Sequence, residues 1–247
     1  MIKKILEVLK YLDPFYYVDR FIAPLLNPEK NEIKELAINI IFAFLFAWLF
    51  LTVLGFILRT EMPISVVMSQ SMEPVLNRGD LIILGKADKI NVQKIEVGKY
   101  LKNKYFDLFG KAHYTEKDGD ISLDYLEING KKIELDKKGD IVVYWSDLRN
   151  KAIIHRAVLE IDALDGSYYL TKGDSKRNKT FDQDCGAVIN GVPEKICIAK
   201  YPVPKKEIKG KVIGVVPFIG CIKIWISEDI PSLLFQGKLP KYFHGFC

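Results

Sequence analysis

Hydrophobic positions divide the chain into a mixed opening stretch, one long apolar run and a series of short alternating segments. The run is Ile38 to Leu58, 21 residues without a charge, in which Asn39 and Thr52 are the only strongly polar members. At 1.5 Å of rise per residue it crosses a hydrocarbon core of about 30 Å. A helix packed in a water-soluble core keeps a polar stripe, and this run has none. The pattern predicts a transmembrane helix over 38–58. A cleaved leader fits poorly, because the run starts far from Met1 and no small-residue cleavage triplet follows Leu58.

Residues 1–37 mix apolar, aromatic and charged residues, interrupted by Pro14, Pro24 and Pro28. Ile2, Ile5, Leu6, Leu9 and Leu12 recur at helical spacing within Met1 to Leu12. A helix lying in the cytoplasmic membrane interface and a partner-binding helix both satisfy that spacing. Arg20, Lys30 and Lys34 precede the run closely, against Arg59 and Arg78 after it. The bias favours a cytoplasmic N-terminus, with residues 59–247 outside the cytoplasm.

Beyond the run the period drops to two. Ile64–Met68, Asp80–Leu84, Ile141–Trp145, Ala152–Ile161, Ser167–Thr171 and Lys211–Val216 are rich in Val, Ile and Tyr and bounded by Gly, Asp, Asn and Pro. They predict a mainly-β domain over 59–247. Residues 85–139 are Lys-rich and carry the turn signals Lys117-Asp118-Gly119-Asp120 and Asn129-Gly130, which predict a β-hairpin excursion.

Composition narrows the function classes. The net charge is +5, with basic residues spread along the chain, so no nucleic-acid groove is indicated. Neither G-x-G-x-x-G nor a phosphate-binding loop occurs. The cysteines, Cys185, Cys197, Cys221 and Cys247, contain no C-x-x-C pair, which argues against zinc. They are either buried thiols or, for Cys185 and Cys197, a bridge in an oxidising compartment.

Three elements carry candidate chemistry. Ser69-Gln70-Ser71-Met72-Glu73-Pro74 leads to Arg78-Gly79-Asp80, so two hydroxyls sit in a turn between strands. Of three histidines, His113, His155 and His244, the second lies inside the apolar strand Ala152–Ile161. An imidazole with an ordinary pKa of about 6.5 suits proton abstraction near neutrality. Thr171-Lys172-Gly173-Asp174 precedes Asp182 and Asp184, and a carboxylate there could fix the imidazole tautomer. Taken alone, each element reads more readily as ordinary turn and strand residues.

Their order resembles the type I signal peptidases. The Ser69–Pro74 segment with Arg78-Gly79-Asp80 looks like the nucleophile box, and Asp140–Tyr144 with Ile154-His155-Arg156 like the box of the base. Thr171–Asp174 looks like the acidic box, and Gly210–Pro217 with Gly220 like the closing strand. Eubacterial members place a lysine where His155 stands, so the resemblance points to the archaeal and endoplasmic-reticulum branch. It implies an SH3-like coiled β-sheet and a serine endopeptidase that removes signal peptides without cofactor or metal. It also implies precursor proteins, the lipid bilayer and the protein translocation machinery as partners, at the cell membrane.

By the same resemblance Ser71 is the nucleophile, His155 the base and Ser69 an oxyanion-hole hydroxyl. Ser175 and Lys176 replace two asparagines common after the Gly-Asp of relatives, and the following loop is longer. Asp174, Asp182 and Asp184 therefore compete for the acid; order favours Asp182, with Asp174 in support. Residues 100–139 look like an insertion. Asn178-Lys179-Thr180 satisfies the N-glycosylation rule, although Asp174 and Asp182 nearby argue against a bulky adduct.

Overall fold

The computed structural model describes residues 10–11, 13–117, 120–186, 188–189, 192–193 and 197–239. The Met1–Leu12 helical spacing lies outside them except at Lys10 and Tyr11, as do His244 and Cys247. Contacts divide the chain into one unit ending at Ile57 and a second beginning at Leu58.

In the first unit, short helical turns Pro14–Tyr17, Val18–Ile22 and Ala23–Leu26 precede a single long helix α1, Glu32–Leu58. Asn31 Oδ1 caps it by accepting from the backbone N–H of Ile33 at 2.9 Å and of Lys34 at 3.2 Å. Glu32 and Glu35 complement the helix dipole in the first turn. The helix thus starts six residues before the apolar run, because polar residues extend it backwards to its cap. It is long and apolar enough to cross a membrane, and its apolar side chains are largely exposed.

The second unit is mainly β, as its alternation predicts. In chain order the strands are β1 (Ile64–Val66), β2 (Leu81–Gly85), β3 (Lys94–Val97), β4 (Gly110–Lys117), β5 (Asp120–Ile128), β6 (Lys131–Ile133), β7 (Ile141–Ser146), β8 (Lys151–Ala163), β9 (Gly166–Lys172), β10 (Val188–Ile189), β11 (Val192–Pro193), β12 (Val203–Pro204) and β13 (Ile208–Val216). The main sheet runs β1-β2-β13-β7-β8-β9-β12. The last long strand, β13, lies between β2 and β7, and is bulged beside Gly210 and Gly214.

Strand β8 organises the unit. It pairs with β7 through Ile141↔Arg156 to Ser146↔Lys151, and with β9 along its second half. It also takes β3 in parallel over Glu160–Ala163. Strand β3 was not legible, because its four residues bury only Val97 fully. Ile153, His155 and Ala157 alternate as buried positions, with Ile154 and Arg156 less so. The histidine thus projects from the inward face into a core that includes Val142, Tyr144, Tyr169 and Ile208.

The excursion forms a separate sheet β4-β5-β6. Asn129 and Gly130 both have positive φ, 52° and 72°, the two-residue hairpin geometry the Asn-Gly pair predicts. The 117–120 turn signal lies partly outside the described residues. Phe106, Phe109, Leu126 and Ile128 pack this region onto Leu159, Leu170 and Phe181. The excursion therefore adds core behind the loop that follows β9.

Two expectations need adjustment. The first strand ends at Val66 rather than Met68, and the second begins at Leu81 rather than Asp80. The intervening chain turns instead, with Val67 exchanging backbone bonds of 2.9 Å with Gly79 and Asp80. The described cysteines are not thiols: Cys185 and Cys197 form a disulfide, and Cys221 is disulfide-bonded too.

Candidate active site

The turn that carries Ser69 and Ser71 is fixed from beneath. Arg78 is buried; its Nε donates to the Met68 carbonyl at 3.3 Å, and its Nη2 to Glu228 at 2.9 Å and Asp229 at 3.3 Å. Asp80 Oδ2 accepts from the Asn77 backbone N–H at 2.8 Å. Met72 and Leu76 drop into the core beside Val67, Ile82 and Leu84. Residues 69–71 are left at the rim, with Ser69 exposed and Ser71 half-buried.

Strand β8 brings His155 to that rim from below. Its Nε2 lies 2.9 Å from Ser71 Oγ, across 84 residues of sequence. Its Nδ1 lies 2.7 Å from Asp182 Oδ2. A carboxylate only accepts, so Nδ1 carries the proton and the bare Nε2 accepts from the Ser71 hydroxyl. His155 and Asp182 are both almost inaccessible, at 2 % exposure each, which keeps water from competing for these bonds.

Asp182 is held through its Oδ2 and its backbone. Its Oδ2 also accepts from Tyr144 Oη at 2.8 Å and Thr171 Oγ1 at 2.6 Å. Its backbone N–H donates to the Thr171 carbonyl at 2.8 Å, and its carbonyl accepts from Ile198 and Ala199 at 3.0 Å each. The Cys185–Cys197 bridge ties these last residues to the chain just after Asp182. Burial, and then the Asp182 charge, push the Tyr144 phenol well above its ordinary pKa, so it stays a neutral donor. Sequence reasoning missed Tyr144 as a carboxylate partner. The signal was its inward position on β7, where a buried phenol needs an acceptor.

The competing carboxylates are engaged elsewhere. Asp174 makes a two-pronged pair with Arg156, Nε to Oδ1 at 2.8 Å and Nη2 to Oδ2 at 2.6 Å. That bond, above all, raises the Arg156 pKa. Arg156 neighbours His155 but points to the other face of β8, so Asp174 is drawn away from the imidazole. Asp184 accepts from Tyr114 Oη of the β4 strand. Ser69 Oγ stands 3.2 Å from Ser71 Oγ. His113 lies on β4 and pairs with Glu127 at 3.2 Å. Among the described residues no group of three or more His, Cys, Asp or Glu side chains could hold a metal ion.

No protein-family model matches the chain. Curated fungal proteins do. The signal peptidase complex catalytic subunit sec11 of Schizosaccharomyces pombe is 30% identical over 196 residues, 79% of this chain and 83% of its own length. This chain belongs to the type I signal peptidase family. The SEC11 catalytic subunits of Lachancea thermotolerans, 28% identical over 194 residues, and Saccharomyces cerevisiae, 28% over 199 residues, cover 78% and 80% of the chain. They cover 82% and 85% of their own lengths. These signal peptidase relatives are fungal, so they support the endoplasmic-reticulum form and lend nothing to an archaeal one.

Proposed function

We propose that this protein is a signal peptidase, a serine endopeptidase that cuts one peptide bond in translocated precursors, with Ser71, His155 and Asp182 as its triad. The carrying observation is the Ser71–His155–Asp182 relay, 2.9 and 2.7 Å, within a member of this family. His155 Nε2 takes the Ser71 proton as Oγ attacks the scissile carbonyl. Asp182 stabilises the imidazolium and keeps Nδ1 protonated. The Ser71 N–H and the Ser69 hydroxyl receive the oxyanion. His155 then protonates the leaving amine, and water, activated by the same nitrogen, frees the acyl group from Ser71. Asp174 supports the site by locking the loop after β9 to Arg156.

The domain boundaries we adopt are 1–37 at the cytoplasmic interface, 38–58 across the bilayer and 59–247 outside the cytoplasm, at the cell membrane beside the translocation machinery. Disulfides at Cys185, Cys197 and Cys221 favour an oxidising compartment for this domain. A helical stretch over 221–236 leaves Ile222, Ile226, Ile230, Leu233, Leu234 and Phe235 exposed, at 50 % or more. An apolar surface of that kind supports work against lipid.

Cleavage of a model precursor by the membrane-embedded chain tests the activity. Ser71→Ala should leave the precursor intact, and native-like cleavage by that variant would end the reading. In sealed membrane vesicles of known sidedness, protease should reach residues 59–247 only from the non-cytoplasmic face; cleavage of that domain from the cytoplasmic face of sealed vesicles would reverse the topology.

A further inference from the structure

The carbonyl of Ser71 is clasped by the loop that follows β9. The Ser175 backbone N–H donates to it at 2.9 Å, and the Asn178 amide Nδ2 at 3.0 Å. A carbonyl oxygen only accepts, so the nitrogen end of the amide must face it. The loop is braced to hold that pose. Asn178 N–H bonds to the Ser175 carbonyl at 2.9 Å, the Lys172 ammonium donates to the carbonyls of Gly173 and Asn178, and Arg177 Nη1 reaches Gln70 Oε1 at 2.7 Å. Gly173 leaves the space: a Cβ there would overlap the Asn178 amide and stand 2.5 Å from the Ser71 oxygen.

We infer that Asn178 is a positioning residue for the nucleophile, and that its amide cannot serve this role and carry a glycan at once. The inference rests on the triad reading above. Ser71 sits on a rim turn with no strand partner of its own, so nothing in a ladder fixes its peptide. The Asn178 and Ser175 donors replace that ladder and set where Oγ meets His155. The atom a glycosyl transfer would modify in Asn178-Lys179-Thr180 is the same Nδ2, packed against Gly173. The sequon is therefore empty in the folded enzyme.

The test uses the full chain in lipid nanodiscs, comparing Asn178→Ala and Asn178→Asp with the unaltered protein. Asp keeps the shape but turns a donor into an acceptor facing an acceptor. Both should lower kcat on the order of 100-fold, the cost of a small misplacement of a reacting group, with KM and melting midpoint unchanged. Labelling of Ser71 by a fluorophosphonate should slow in parallel. Thr180→Val removes the sequon and should leave turnover as it was. Native kcat and labelling in both variants would overturn the inference, as would a loss that disappears on cooling below each variant's melt. So would a glycan at Asn178 on protein of full activity. If the unaltered protein labels at Ser71 faster than both variants yet cuts no precursor, Asn178 positions a nucleophile and the signal peptidase reading is the one that fails.

Discussion

Asp182 and Ser71 bond to opposite nitrogens of one imidazole in opposite surroundings. The acid end is closed: Asp182 is 2 % exposed, and three donors from three strands or loops converge on one oxygen. The Ser71 end is open, on a turn whose Ser69 is exposed. The proposed roles of the two ends account for the difference. A charge that only orients and stabilises works best where water is excluded. A hydroxyl that must meet a polypeptide has to stay at the surface, and its order has to come from the turn beneath it.

The largest effect that would break this comparison is at its centre. Ser71→Ala and His155→Ala should each cut turnover by on the order of 10⁵–10⁶-fold while circular dichroism stays native. His155→Lys should not restore activity near neutrality, since an ammonium holds its proton there.

At the closed end, Asp182→Asn should cost on the order of 10⁴-fold by favouring the wrong tautomer, whereas Asp174→Asn and Asp184→Asn should keep most of kcat. Side-by-side turnover of the three variants decides the acid; near-native activity in Asp182→Asn would unseat it. Thr171→Val or Tyr144→Phe removes one of three donors and should cost about tenfold each, the worth of one hydrogen bond to a charge.

Smaller effects probe the frame. Replacing Cys185 and Cys197 by Ser should destabilise the domain by about 3 kcal/mol, as expected for a short closed loop, seen as a lower denaturation midpoint. Tyr168 sharpens the picture in alkali. Burial first, then its bond to Asp165, push its phenol from 10.0 to about 12. The unfolded chain loses that proton first, so the stabilisation is complete below pH 10 and is lost as pH climbs through 12. Denaturation midpoints across that window should fall, and Tyr168→Phe should make the slope shallower.

Much of this architecture was legible. The 38–58 run and the period-two segments announced one apolar helix and a β domain, because a 21-residue uncharged run has helical length and period-two alternation suits a half-buried strand. The pairing of Ser71 with His155 rested on the ordered boxes; nothing local in either segment requires it. The choice among Asp174, Asp182 and Asp184 was hard for a geometric reason. All three follow β9, and which one meets the imidazole depends on which face of β8 Arg156 occupies and where Tyr114 of the excursion lands. The bond of Tyr144 to Asp182 and that of Asn178 to the Ser71 carbonyl were not read from the sequence, because those partners are 38 and 107 residues away. The excursion was readable as a hairpin from Asn129-Gly130, but its packing against Phe181 is a tertiary fact.

The place of β13 in the sheet has a consequence for how the enzyme comes into being. Chains are synthesised from the N-terminus, and domains fold as their parts become available. A nascent copy that has emerged through residue 207 already owns Ser71, His155 and Asp182, yet the strand that joins the Ser71 side of the sheet to the His155 side is still unmade. Until residues 208–216 slot between β2 and β7, the Ser71 turn is tied to the histidine's side of the sheet only through loop contacts such as those of Ser175 and Asn178 with its carbonyl. On that sheet order, a copy truncated before residue 208 should cut a model precursor far more slowly than the full chain.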